Sequence, residues 1–585
     1  MGHKQIVCNV MKRQKGLSLG VLCLQIITGV LPAIYVVVYA DFIDGMLKVV
    51  AGHPFDAVIG QKVIAAAALT AFQYFCGAYQ SYLNSELQLS IEASEKKCLM
   101  EKMFRLRFLD MEASATYELA NHVKHGIPEK YYSYYTGLLG AGNLFLSVIT
   151  MMSIIMKYSL SLGLLALLAF VPIFAISIKG GREDYSALSE YMEIVRRTES
   201  FENILAGEKS VFERATFPYF SWIMKKWNQS FDAGVKVYLA YKKSAYTRIK
   251  IMSVIIKLLL CGIIGVILYL TSDGRVSIGI CVILMQQVIS LSERVTWDLY
   301  MYLYRITSGL EYQKRYAEFY ALREKEQGGE VLPDAEKIVF EDVSFRYSPE
   351  APYILRHLNL TLERGKKYAL VGENGAGKST LMKLLLGFYQ EYEGNIWVDG
   401  RELRTIREEK SFLSPVFQNF TRYQVSVREN VGMDQAENLT DVELTELMEA
   451  FDLALLDRLG EEGYDTSMGR LEGKNIDLSG GQWQKLAIMR ALSRHTGWLI
   501  LDEPTAALDP MAESALYELF LQAMQDKIGI IITHRLGAAR LSDEVLVLSD
   551  GYIKERGSHD ALMEKKGLYQ EMFESQRRWY QHVEA

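Results

Sequence analysis

Asp502 and Glu503 close the apolar run Trp498-Leu499-Ile500-Leu501, and paired carboxylates in such a place can do metal and proton chemistry. The run has the near-continuous hydrophobicity of a buried parallel strand. Both acids are therefore expected at the carboxyl end of a strand, where open α/β sheets gather ligands. In a P-loop enzyme the first carboxylate helps to hold Mg²⁺, and its neighbour orients or deprotonates the attacking water. Taken alone, the pair is equally an ordinary strand end with two solvated acids.

A second stretch narrows the choice. Gly372-Glu373-Asn374-Gly375-Ala376-Gly377-Lys378-Ser379, continuing into Thr380, follows the apolar strand Tyr368–Val371 and precedes an apolar helix, Leu381 to Leu386. This is G-x-x-x-x-G-K-[ST] in the context it requires. Glycines let backbone N–H groups turn inward around phosphate oxygens, and the helix N-terminus adds partial positive charge. Lys378 then reaches the β- and γ-phosphates, and Ser379 coordinates Mg²⁺. A second anion cradle, Ser479-Gly480-Gly481-Gln482, opens another helix. One nucleotide does not fill two cradles of one protomer, so a facing pair of domains is implied. Three further residues carry weight only in company. Tyr347 is placed to stack on a base, Gln418 ends the apolar run Phe412–Phe417 within reach of a metal, and His534 follows the strand Ile528–Ile532, where it can contact a γ-phosphate.

The elements that must position these groups occupy less than half of the chain. At 585 residues the protein exceeds one core, so two or more domains are expected. Half of the residues are hydrophobic, and the excess lies in the first 300 or so. An apolar run from Leu17 to Ala40 is too long for a signal-peptide core. With 57–80, 133–156, 159–178, 247–270 and 276–297 it makes six candidate transmembrane helices, each near the ~20 residues that a bilayer requires. The intervening loops after spans two and four are rich in Lys and Arg, whereas the opposite side offers Lys48, Lys157 and Arg275. Both termini and both long loops are thus expected in the cytoplasm. Lys257, Gln286, Gln287 and Glu293 are polar residues within spans. Each is either a pathway group or, for the glutamines above all, a helix–helix contact. A charged linker, 311–337, leads to an α/β domain over 338–575 and a tail, 576–585. The net charge of −6 argues against a nucleic-acid surface, and the six scattered cysteines show no zinc spacing.

In this order the motifs resemble those of the ATP-binding cassette (ABC) transporter family in its exporter-type half-transporter form: a six-helix membrane bundle, 1–310, joined to a P-loop NTPase domain. The resemblance identifies Gly372–Ser379 as Walker A, Gln418 as the Q-loop and Leu478–Gln482 as the signature sequence. Asp502 closes Walker B, Glu503 is the catalytic base, Asp509 belongs to the D-loop and His534 is the switch histidine. It implies ATP and Mg²⁺ as ligands, and a homodimer or heterodimer in which each ATP lies between Walker A of one protomer and Ser479–Gln482 of the other. Coupling helices are expected near 108–120 and 200–212. The segment Tyr464–Asp477 departs from the family pattern, and Trp483 after the signature resembles a subset of bacterial peptide exporters. With about 16 residues before the first span, no peptidase domain is expected and Cys8 is not a leader-cleaving nucleophile. The expected activity is ATP-driven outward transport of a peptide or amphipathic small molecule. The alternatives are a lipid flippase, importer or ATP-gated channel on the same fold, one half of a heterodimer with a degenerate mate, or a membrane-tethered cassette ATPase acting on DNA or ribosomes.

Overall fold

The computed structural model describes residues 10–158, 160, 163, 187, 190–207, 210–325, 332, 334–406, 412–451, 453, 459–469, 476, 478–494, 496–503 and 510–581. The chain divides into two compact units, one of residues 1–106 and 110–324, the other of 107–109 and 325–585.

Among the described residues of the first unit five helices are long and apolar enough to cross a membrane: α1 (Lys15–Val50), α2 (Ala57–Arg105), α3 (Tyr132–Tyr158), α4 (Phe220–Ser272) and α5 (Ile278–Ala321). They contain five of the six expected spans; the sixth, 159–178, lies almost wholly outside the described residues. The protein is a multi-pass membrane protein. As expected from the patterned loops, α2 and α4 run far past a bilayer's thickness, at 49 and 53 residues. Their starts follow local chemistry. Asp56 caps α2 by accepting from the Ile59 N–H at 2.8 Å, and Ser277 caps α5 through Ile280. Met151, Met152, Ile155, Ile256, Leu284 and Val288 form an apolar core between α3, α4 and α5. Without a hydrophobic drive between helices in lipid, close approach must supply the attraction. Gly140 of α3 provides it, since a Cβ there would sit 2.3 Å from the Tyr302 ring of α5. Nearer the N-terminus the buried Glu95 carboxylate takes Arg13 at 2.8 Å and the Tyr316 hydroxyl at 2.8 Å, so this buried charge is paired.

Among its described residues the second unit holds two sheets. Strands β1 (Lys337–Phe345), β2 (Leu355–Glu363), β4 (Glu393–Val398) and β5 (Arg401–Glu402) form an antiparallel sheet in the order β2-β1-β4-β5. The other has the order β10-β9-β3-β8-β7-β6. It comprises β3 (Lys367–Val371), β6 (Leu413–Val416), β7 (Trp498–Asp502), β8 (Ile528–Ile532), β9 (Glu544–Ser549) and β10 (Tyr552–Gly557). Its first five strands in sequence are parallel, and β10 returns antiparallel on β9. Every residue of β7 and β8 is buried, as continuous apolar runs require of a sheet covered on both faces. Between the sheets lies helix α6 (Lys378–Leu385), with Leu381, Met382, Leu384 and Leu385 in the core. A second core holds helix α7 (Gly480–Leu492) against β6 and β7, and Trp483 is buried in it. Arg107–Leu109, where the short helix Phe108–Glu112 begins, belongs to this unit; Phe108 stacks on Phe388 at 4.3 Å and Arg107 pairs with Glu391 at 2.9 Å. The other expected coupling segment, near 200–212, holds the end of one helix at Ala206 and the start of another, Val211–Thr216, with 208–209 outside the described residues.

Candidate functional site

Strands β3 and β7 flank β8, and their carboxyl ends bring two chemistries together. From β3 the chain turns at Gly372, where an added Cβ would lie 2.2 Å from the Leu548 carbonyl oxygen. Gly377, at φ +106, then caps α6 in the left-handed region that side chains avoid. Lys378 is folded back over the loop, its Nζ donating to the carbonyls of Gly372 at 2.7 Å and Glu373 at 3.0 Å. Burial pulls this ammonium's pKa down, and the Glu503 and Asp502 carboxylates oppose that pull.

From β7 come Asp502 and Glu503. Glu503 has φ +46, uncommon for a side chain of its size, and its N–H donates to the Ile532 carbonyl of β8. That turn presents the carboxylate between two partners. Gln418 Nε2 donates to Oε2 at 2.8 Å, and His534 Nδ1 lies 3.1 Å from Oε1. Together Tyr347, Asn374, Gly375, Gly377, Lys378, Ser379, Thr380, Gln418, Glu503 and His534 line one cavity of about 590 Å³. Ile354 also lines it, a contact that nothing in its local sequence signals. Gly372, Glu373 and Ala376 belong to the loop beneath. Tyr347 is partly exposed at the rim, its hydroxyl 2.9 Å from Thr380 Oγ1.

Asp502 lies just behind the cavity and is 8% exposed. Burial first, and then the Glu503 charge, push its carboxyl up from 3.8 to about 6, against the pull of Lys378 and Lys383. The folded state therefore holds a proton that the unfolded chain has released, and stability falls as pH rises from about 4 to about 6. Asp502→Asn should raise the thermal midpoint of the nucleotide-free protein above pH ~6, and the gain should shrink toward pH ~4. Unfolding followed across that range checks this; a gain of the same size at both ends would remove the buried charge as its cause.

Two expected groups do not join the cavity. Ser479, Gly480, Gly481 and Gln482 begin α7, and none of them lines it. Ser479 Oγ accepts from the Gln482 N–H at 3.3 Å while Gln482 Oε1 accepts from the Ser479 N–H at 3.0 Å, a reciprocal capping box. Asp509 lies outside the described residues. In the membrane unit, Lys257, Gln286 and Glu293 are exposed in the single chain, whereas Gln287 lines a separate polar cavity.

A P-loop, a strand-end carboxylate pair and a second anion cradle on an α/β domain, preceded by membrane helices, define a membrane-coupled P-loop NTPase. Residues 355–506 match the family model described as "ABC transporter". The chain is 27% identical over 575 residues to the subtilin transport ATP-binding protein SpaT of Bacillus subtilis, covering 96% of this chain and 92% of that protein. It is 25% identical to the nisin transport ATP-binding protein NisT of Lactococcus lactis subsp. lactis, covering 97% and 95%. The ATP-dependent lipid A-core flippase of Escherichia coli strain K12 is 34% identical over 258 residues, 43% and 44% of the two chains. A solved bacterial Atm1-family ABC exporter with ATP bound superposes with TM-score 0.81 over 96% of this chain and 98% of that one, at 22% identity, and so shares the fold. Residues 355–506 form an ABC transporter ATP-binding domain, and the whole chain, a membrane domain fused to one nucleotide-binding domain, is homologous to ABC exporters, which implies an ATPase activity coupled to export.

Proposed function

We propose that this protein works as a dimer and carries a peptide outward across the cell membrane, with both termini in the cytoplasm. The membrane domain is 1–310, the linker 311–337, the nucleotide-binding domain 338–575 and the tail 576–585. The observation that carries the cargo is the reach of the likeness. The subtilin and nisin transport proteins, homologous peptide exporters, match over nine-tenths or more of both chains, whereas the flippase match spans under half of either chain.

Within the cleft, Gly372–Thr380 bind the phosphates of ATP, Lys378 bridges the β- and γ-phosphates, and Tyr347 packs on the base. Glu503 takes the proton of the attacking water, with Gln418 and His534 setting the orientation of its carboxylate. Ser379, Gln418 and Asp502 offer the hard oxygen donors that suit Mg²⁺, which when bound neutralises charge on the phosphates. Ser479–Gln482 and Asp509 complete the cleft of the partner protomer. ATP shifts the transporter only by its differential affinity for the closed pair, so hydrolysis resets it.

Inverted membrane vesicles test the direction and cargo together. Given ATP, a labelled amphipathic peptide should accumulate inside them, and a labelled phospholipid offered alongside should not be moved. Phospholipid movement alone, or an ATP-independent ion current, would replace this reading with a flippase or a channel.

A further inference from the structure

The membrane unit holds a cavity of about 460 Å³ whose lining residues include five that carry amides, Gln25, Gln73, Gln80, Asn143 and Gln287, together with Arg294. A cation and this many amides within membrane-spanning helices are costly unless they serve a bound group. The volume falls within the range of small-molecule and cofactor sites. The arginine is held in place. Asn143 is 8% exposed, and its Nδ2 donates to the Gln25 carbonyl at 2.6 Å and to Thr28 Oγ1 at 2.9 Å. With its amide so fixed by α1, Oδ1 faces α5 and accepts from Arg294 Nη2 at 2.9 Å. Arg294 Nη1 reaches Ser147 Oγ at 3.5 Å. Both acceptors are neutral. The carboxylate on the next turn, Asp298, makes an ion pair with Nε at 3.7 Å, so that the Nη edge is the part of the guanidinium that meets neutral acceptors alone.

A guanidinium presents a planar fork that matches a carboxylate with two parallel N–H···O bonds. Each glutamine amide offers both donors and an acceptor, the complement of a peptide backbone. An acyl chain would leave these amides unpaired at a cost. We propose that this cavity receives the cargo before transport, that the cargo is a peptide with a free carboxylate, and that Arg294 binds that carboxylate. Asn143 acts as a positioning residue through Arg294. The inference rests on the exporter reading above and names the chemistry that the membrane domain selects.

The test uses the full-length protein in lipid nanodiscs without nucleotide. The probes are a randomised peptide library free of Asp and Glu with free C-termini, and the same library amidated. The free-acid library should be retained roughly tenfold better, the size of a charged hydrogen-bonded contact. Arg294→Gln should erase the preference and Arg294→Lys should keep part of it. The parent comparison of acid with amide needs no variant, so a folding failure in either variant leaves the test intact. Equal retention of both libraries overturns the proposal, as does a preference that survives Arg294→Gln. Displacement of bound peptide by phosphatidic acid overturns it in favour of a lipid headgroup. If the preference is missing while ATP still drives amidated peptide into vesicles, this inference falls and the exporter reading stands; if that transport is missing too, both fall.

Discussion

Glu503→Gln is expected to cut ATP turnover by about 10²- to 10⁴-fold, the range that a positioned general base supplies, while ATP binding stays within a few-fold of the parent. The substitution keeps the shape and removes only the proton acceptor. Structure gives reasons to expect that the fold survives. The left-handed turn at Glu503 is set by the backbone, whose N–H is engaged by Ile532 of β8. An amide in place of the carboxylate still offers an oxygen to Gln418 Nε2, now 2.8 Å from Oε2. Loss of the charge also relieves neighbouring Asp502, whose ionisation Glu503 disfavours. A mere folding defect would lower binding and turnover together. Phosphate release and equilibrium binding of a fluorescent ATP analogue, measured on one preparation, separate the two. Ordinary turnover in the variant would take the proton-accepting role away from Glu503 and hand it to another group of the cleft.

The sequence made this half of the molecule legible because its chemistry is written in local patterns. Tyr368–Val371, the glycine loop and the apolar helix are contiguous, so strand, turn and anion site follow from adjacent residues. The same holds for the strand end at Asp502 and Glu503, since a buried parallel strand announces itself by a continuous apolar run. What could not be read is the company each residue keeps. Gln418 and His534 follow different strands, and only the order of β6, β7 and β8 places both against Glu503. The membrane domain was legible as spans and illegible as a site. Lys257 drew attention by its charge and turns out exposed in the single chain, away from the polar cavity. Nothing in the local sequence singles out Arg294, near the end of its span, or Gln25, Gln73 and Asn143 within theirs. Their convergence depends on helix rotation, which a single amphipathic pattern does not fix when every face is apolar.

Ser479→Arg is expected to abolish most turnover even though it leaves every residue lining the ATP cavity of the same chain in place. Ser479 is exposed, and its capping box with Gln482 holds the start of α7 toward solvent instead of toward Lys378. An anion cradle so presented acts on a nucleotide that another copy brings to it. An arginine there fills the space of the incoming phosphate and removes the Ser479 cap, at a cost of about 1 kcal/mol that leaves a helix packed in the second core folded. ATP binding should therefore stay near the parent value while phosphate release falls by about two orders of magnitude or more, the cost of losing donors aimed at developing charge. Lys378→Ala should fail for the opposite reason, by losing the phosphates themselves. Mixing the two inactive variants as differently tagged chains then gives a sharp result. In a mixed pair one cleft carries both lesions and the other carries neither, so part of the lost activity should return in proportion to the mixed pairs recovered through both tags. If mixed pairs form and stay silent, or if Ser479→Arg chains hydrolyse ATP at the parent rate, the second cradle is not the missing wall of a neighbour's cleft.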